Sequence, residues 1–331
     1  MTNLYPLKFF PILKERVWGG NRLSVEYGKK AKEGSKIGES WELSAVQGDI
    51  SLVANGFLEG NNLEEITEVY MGDLVGEDIF EKFGREFPLL VKIIDANEDL
   101  SIQVHPPDEL AKERHHAYGK TEMWYVLEAS DDAVIYTGFN RKMTKELYLK
   151  TLKDGNIADI LNKEKPRAGD VFFIPSGRVH ALGKGVVLIE IQQTSDITYR
   201  IWDWNRNGLD GKPRELHTEL AVDAIDYNTY ESYKTRVEPE FNKTVNIIDC
   251  KYFTTNIIEL DKNINKDYSL IDSFVIYICV DGKAKLEWEN QNMSFMKGET
   301  VLIPALMERV GIYPEPSARI LEVYIRKTDE K

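Results

Sequence analysis

Five histidines occur in the 331 residues, few enough for each to be weighed as a metal ligand or a base. His105 closes the run Leu100-Ser101-Ile102-Gln103-Val104-His105, ahead of Pro106-Pro107. Read as a strand, its alternation puts Ser101, Gln103 and His105 on one face and Leu100, Ile102 and Val104 on the other. Three polar side chains on one face describe either a polar pocket or the solvated outer side of a sandwich. His180 follows the strand-and-turn Gly169 to Gly177, where a histidine is by default a surface residue. Glu122 opens the apolar run Met123 to Val126, and a carboxylate there is costly to bury without a cation. A metal would satisfy it, as would Lys120 two residues earlier. Two imidazoles and a carboxylate, with or without an amide oxygen, suit a divalent transition metal with an open position. With no thiolate in the set, zinc, iron, manganese and cobalt all fit. His115 and His116 fall in a polar, solvated helix and His217 opens a helical run, so all three stay outside the set.

The elements that must hold these groups are short and rich in branched and aromatic residues. Strands are predicted at Phe87 to Ile94, Met123 to Leu127, Ala133 to Tyr136, Val171 to Ile174, Val186 to Ile191 and Phe274 to Val280. Gly, Asp and Asn clusters separate them, as in an antiparallel sandwich or barrel. Helices are few. Asn62-Leu63-Glu64-Glu65 reads as a capping box. Asp108 is placed to cap a helix that Gly119 stops, and Thr144 to cap one running on to Leu161, interrupted by Asp154-Gly155-Asn156. Helices do not alternate with strands, which disfavours a parallel βαβ sheet.

Composition narrows the function classes. Formal net charge is −13, which excludes a general nucleic-acid binder and a polybasic membrane-surface protein. No apolar run reaches the ~18 residues of a membrane span. Pro6, Lys8 and Pro11 interrupt the N-terminal stretch, so no secretory signal is expected. Cys250 and Cys279 lack metal-ligand spacing and read as two buried thiols, which together with the missing signal points to the cytoplasm. Residues 165–215 carry eight Lys or Arg against six Asp or Glu, an electropositive exception in an acidic chain. That exception marks where a small anion would sit.

Gly169-Asp170-Val171-Phe172-Phe173-Ile174-Pro175 recurs, diverged, as Gly298-Glu299-Thr300-Val301-Leu302-Ile303-Pro304. Arg309 occupies in the second copy the place His180 occupies in the first, so one copy is equipped for a metal and the other is not. The expected organisation is a metal-binding unit over 1–235 with short helical insertions, and a β unit over 236–331 without ligands. The polar stretch 228–243 lies at the junction.

At Gly169, Pro175, Gly177 and His180 the sequence resembles the cupins, with Lys184 where that family usually has asparagine. Within the cupins it is similar to the short bacterial form of the zinc-dependent type I mannose-6-phosphate isomerases. Trp18-Gly19-Gly20, Gly38-Glu39-Ser40-Trp41, Ser101 to Pro106, Lys120-Thr121-Glu122-Met123 and Ser195 to Arg200 carry that likeness. The resemblance implies a mainly β fold of two cupin-type jelly-roll or β-sandwich units with a few short helices. It implies one Zn2+ held by Gln103, His105, Glu122 and His180. Arg200, Lys120, Glu190 and Asp196 match its catalytic positions, and Lys92 and Ser101 match positions near the substrate phosphate.

The implied chemistry is reversible aldose–ketose isomerisation of mannose 6-phosphate and fructose 6-phosphate through an enediolate. Another cupin metalloenzyme (an iron dioxygenase or a different sugar isomerase) and a non-catalytic sugar-binding cupin are the alternatives. The expected partner is a small sugar phosphate, with no nucleic acid, membrane or protein partner. Residue by residue, plainer readings stand beside these roles. Glu190, alternating with Ile189 and Ile191, is equally a strand-surface carboxylate. Asp196 in a turn is more often a local backbone acceptor than a base. Arg200 beside Trp202 and Trp204 is equally a structural cation–π partner.

Overall fold

The computed structural model describes residues 4–326. The chain divides into two compact units, neither of them continuous: Leu13–Trp41 with Leu90–Arg236, and Met1–Ile12 with Glu42–Leu89 and Val237–Lys331. The break at Arg236 falls within the expected junction, but an uninterrupted first unit over 1–235 is not what forms. The reason lies in backbone pairing. Leu7 exchanges two 2.8 Å hydrogen bonds with Leu302, and Lys8 Nζ meets Glu299 at 3.0 Å. The Asp272 carboxylate accepts the backbone N–H groups of Glu77 and Asp78. Residues 1–3 and 327–331, the ends of the two expected units, lie outside the described residues.

All five histidines fall in the unit 13–41 with 90–236. One of its sheets runs, in spatial order, Ile12–Gly20, Ile37–Leu43, Leu89–Ala96, Val186–Gln193, Glu122–Ala129, Val171–Ile174 and Lys234–Thr235. The other runs Tyr199–Trp202, Ile102–Val104, His180–Leu182, Ile135–Phe139 and Leu161–Glu164. Trp124, Phe172 and Leu188 from the first sheet share one apolar cluster with Ile135 and Leu182 from the second, so the sheets form a sandwich. A second cluster lies on the other side of the five-stranded sheet. There Ile102, Val104, Ala181 and Tyr199 pack on Tyr148, Ala221 and Val222 from the helices Lys145–Lys153 and Thr218–Ala224. The apolar face of Ile102–Val104 is therefore covered by helices, and its polar face points into the sandwich.

The remaining unit carries a seven-stranded sheet over Thr244–Tyr324, in which Thr300–Ile303 pairs antiparallel with Val275–Trp288. Val171–Ile174 pairs in the same sense with Glu122–Ala129, so the two sequence copies occupy matching strands. Each is a mainly β cupin-type unit with short helices, as expected.

Local departures from expectation are instructive. Asp108 is the first helical residue of Asp108–His115, not its cap; its carboxylate accepts instead from Gly119 N–H and Gln193 Nε2. His115 is exposed yet not merely solvated, since its Nε2 lies 2.7 Å from the Tyr199 hydroxyl. Thr144 does cap its helix, which ends at Lys153 just ahead of the expected break at Asp154-Gly155-Asn156; beyond the break a 3₁₀ turn forms in place of more helix, and Leu161 opens a strand. Cys279 is buried and Cys250 only partly so.

The capping box at Asn62 forms as read, with Glu65 N–H donating to Asn62 Oδ1 at 2.8 Å and Asn62 N–H to Glu65 Oε2 at 3.0 Å. Asn62→Ala should lower unfolding free energy by about 1 kcal/mol, seen as a lower urea midpoint with unchanged slope. A midpoint equal to the parent's would show that the box contributes nothing.

Candidate active site

Pairing between strands assembles the ligand group. His180 lies opposite Gln103, and Glu122 opposite both Ile174 and Gln192. His105 follows the end of Ile102–Val104. Its position is fixed by its own carbonyl, which accepts the Gly177 N–H at 2.9 Å. Gly177 has φ +87°, and an added Cβ would meet Ala224 O at 3.0 Å, which accounts for glycine at that point of the motif.

His105 Nε2 lies 3.5 Å from Glu122 Oε2, and His180 Nε2 lies 3.3 Å from Glu122 Oε1. One ligand atom from each of the three residues falls within 4.8 Å of the others, and all three residues are buried. His105 Nδ1–H donates to Ile197 O at 2.9 Å and His180 Nδ1–H to Arg178 O at 2.8 Å, because a carbonyl can only accept. Both rings are thereby set with an unprotonated Nε2 turned toward the carboxylate, the outer-shell arrangement of metal-bound histidine. His105 Nε2 and both Glu122 oxygens are buried with no hydrogen-bond partner. Orphaned atoms of that kind, from a donor set of two imidazoles and a carboxylate, fit a divalent transition metal. Gln103 stands at the same place but turns its NH₂ toward His180 Nε2 at 3.2 Å. Rotating that amide about its last bond would bring its oxygen there instead.

The electrostatics agree. Burial holds His180 down to about 4, and burial with the Lys120 cation and His180 holds His105 well below the imidazole range, so both stay neutral. Burial and the Glu190 carboxylate push Glu122 up, against the pull of Lys120 and Lys92. A full negative charge on Glu122 therefore needs more cation than the lysines provide.

A cavity of about 570 Å³ opens beside this group, and Lys92, Ser101, Gln103, Lys120, Glu190, Asp196 and Arg200 all line it. Lys92 Nζ meets Glu190 Oε1 at 3.1 Å, and Trp124 Nε1 donates to Glu190 Oε2 at 3.0 Å. Burial opposes charge on both partners, yet Lys92 and Lys120 pull Glu190 down and Glu190 with Glu39 raises Lys92. Glu190 is thus a committed anion. Lys120 Nζ lies 3.5 Å from Glu122 Oε2. Ser101 Oγ is 3.5 Å from Gln103 Oε1, and Asp196 is the exposed member of the set.

The charge reading changes in three dimensions. Of the eight cations in 165–215, only Arg200 and Arg214 line the cavity. Arg178 lies over the rings of Tyr230 and Tyr233, and Lys184 pairs with Asp132 at the surface. The other lining cations, Arg16, Lys92 and Lys120, come from elsewhere in the chain.

Three further groups matter that residue reasoning left unassigned. Glu39 accepts from Arg16 Nε and Nη2, each at 3.1 Å, and from Trp41 Nε1 at 2.7 Å. Its only sequence signal was the quoted Gly38-Glu39-Ser40-Trp41. Asp203 is gripped by Arg206 and Arg214. His217, set aside as a helix start, accepts the Arg200 backbone N–H through Nδ1 at 3.2 Å. No local pattern could have joined residues 200 and 217.

Comparison with known proteins agrees with this architecture. A family profile described as phosphomannose isomerase type I, catalytic domain, matches residues 7–139, and one described as mannose-6-phosphate isomerase, cupin domain, matches 242–324. The mannose-6-phosphate isomerase ManA of Bacillus subtilis is 35% identical over 307 residues, covering 90% of this chain and 93% of that protein. The mannose-6-phosphate isomerase of Streptococcus mutans is 31% identical, covering 90% and 92%. The crystal structure of the Bacillus subtilis mannose 6-phosphate isomerase superposes with a TM-score of 0.87 at 31% identity, covering 97% of this chain and all of that one. With these likenesses on top of the site's geometry, the chain belongs to the type I mannose-6-phosphate isomerase family.

Proposed function

We propose that this chain interconverts mannose 6-phosphate and fructose 6-phosphate, with one zinc ion held by His105, Glu122 and His180 and with Gln103 as a fourth donor after its amide turns. The observation that carries the reading is the buried His105, Glu122 and His180 group, with His105 Nε2 and both Glu122 oxygens unpartnered, beside a cavity lined by Lys120 and Arg200. When bound, zinc supplies Lewis acidity for the oxygens that become negative as the enediolate forms. The chain's own residues supply the rest.

Isomerisation takes a proton from one carbon of the open-chain sugar and returns it to the neighbouring carbon while the hydroxyl proton passes from one oxygen to the other, with no net redox change. Both Glu190 oxygens are engaged, one by Lys92 Nζ and the other by Trp124 Nε1, and a carboxylate held in that way is a weak base. The role of Glu190 is to keep the Lys92 ammonium at the cavity wall. Among the predicted catalytic residues, Lys120 and Asp196 remain to hold or move the proton. Arg200 presents a guanidinium to the developing oxyanion, with its Nε buried and unbonded while Nη1 is tied to Glu215 O at 2.9 Å. Lys92 and Ser101 line the same cavity, in keeping with contact to the substrate's anionic end. Cytoplasmic location is the reading consistent with two unbridged cysteines.

Metal analysis of the purified protein should find zinc near one per chain, and chelation should abolish formation of fructose 6-phosphate until zinc is restored. A fully zinc-loaded protein that forms no fructose 6-phosphate would falsify the isomerase reading. His180→Ala should lose metal and activity together. Arg200→Ala should keep its zinc while kcat falls roughly 100- to 1,000-fold; release of zinc, or turnover at the parent's rate, would remove Arg200 from this role.

A further inference from the structure

Arg200 sits on Tyr199–Trp202, the edge strand of the five-stranded sheet, with Ile102–Val104 on its one paired side. An edge strand leaves half of its backbone groups facing outward, unheld by the sheet. Those of Arg200 are held by another segment. Its N–H donates to His217 Nδ1 at 3.2 Å, and its C=O accepts the His217 backbone N–H at 2.7 Å. Glu215 O takes Arg200 Nη1 at 2.9 Å. Residues 215–217 thus clamp both backbone polar groups of Arg200 and one arm of its guanidinium.

The His217 side chain is diverted to this purpose. His217 occupies the N-cap position of the helix Thr218–Ala224 but makes no side-chain capping bond. It turns back to the strand, and its Nδ1 can accept only while unprotonated. That helix is anchored in the apolar layer through Ala221, Val222 and Ala224. Movement of Arg200 would have to break a contact fixed to that layer. A guanidinium aimed at a developing charge is worth most when its direction is set beforehand.

We infer that His217 is a positioning residue for Arg200, a role that rests on Arg200 meeting the substrate's oxyanion. It touches no reacting atom. It fixes the strand segment from which the guanidinium projects, by completing the hydrogen bonds the sheet edge lacks.

The test compares His217→Ala, His217→Phe and His217→Asn with Arg200→Ala in the zinc-loaded full chain. Asparagine places Oδ1 close to where Nδ1 stood, whereas alanine and phenylalanine offer no acceptor. His217→Ala and His217→Phe should keep zinc content and melting temperature while kcat drops roughly 10- to 100-fold. KM for mannose 6-phosphate should change by less than about threefold, and His217→Asn should recover most of the turnover. Parent-like kcat in His217→Ala overturns the inference. So does a loss in His217→Asn equal to that in His217→Ala, or a kcat loss that tracks lost zinc or lower melting temperature. If Arg200→Ala keeps parent turnover, the role of Arg200 fails first, and the His217 variants then report only on the fold.

Discussion

Glu122 sits inside a sandwich with neither carboxylate oxygen hydrogen-bonded. An isolated ionised carboxylate in such a place is among the most unfavourable groups a protein can bury. Much of the surrounding architecture answers that one constraint. Two histidines are locked by backbone carbonyls into the tautomer that offers lone pairs, and Lys120 approaches from the cavity side. Farther along the wall, cations and carboxylates alternate: Arg16 with Glu39, Lys92 with Glu190, Lys120 with Glu122. Each lysine or arginine is buried or half-buried beside an acid, so the cavity is polar without a large excess of either sign. Arg200, with its Nε unbonded, adds a cation to that lining in a chain of net charge −13.

The same strand register is put to a different use in the second copy. Phe172 pairs with Trp124, and Trp124 with Glu190; correspondingly, Val301 pairs with Tyr277, and Tyr277 with Glu322. Glu322 is as deeply buried as Glu190, and where Lys92 and Trp124 satisfy Glu190, Lys266, Asn256 and Tyr268 satisfy Glu322. Arg309, standing where His180 stands in the first copy, is exposed and paired with Asp267. A buried carboxylate at this register is therefore common to both copies, and the His105, Glu122 and His180 group distinguishes the copy with the candidate metal site. Close packing elsewhere explains other motif residues. Trp18 lies against Gly38, and a Cβ on Gly19 would come within 2.5 Å of Gly38 N, so neighbouring strands meet only because both positions are glycine.

Candidate ligands and strand faces were legible because they are local. Alternation separated Ser101, Gln103 and His105 from Ile102 and Val104, and the Gly169 to His180 spacing described a strand, a proline stop and a turn. The capping box at Asn62 and the strand Val171–Ile174 form where side-chain chemistry places them. Asp108 shows the limit of such local reasoning, since a competing partner, Gln193, claims the carboxylate that would have capped its helix.

Amino-acid order alone therefore determined which residues were fit to hold a metal, which side of each strand they shared, and that His180 in one β copy is replaced by Arg309 in the other. It did not determine which side of Ile102–Val104 faced inward, because period two is symmetric until a helical layer covers one face. Only the tertiary structure decided that the polar face lines a cavity, that Lys92 is bound to Glu190, and that most cations of 165–215 lie away from it. Only the tertiary structure joined His217 to Arg200, and split the chain into discontinuous units. Each of those outcomes depends on pairing between segments far apart in sequence, where partners are chosen by which buried polar group is left unsatisfied and no local spacing encodes the choice.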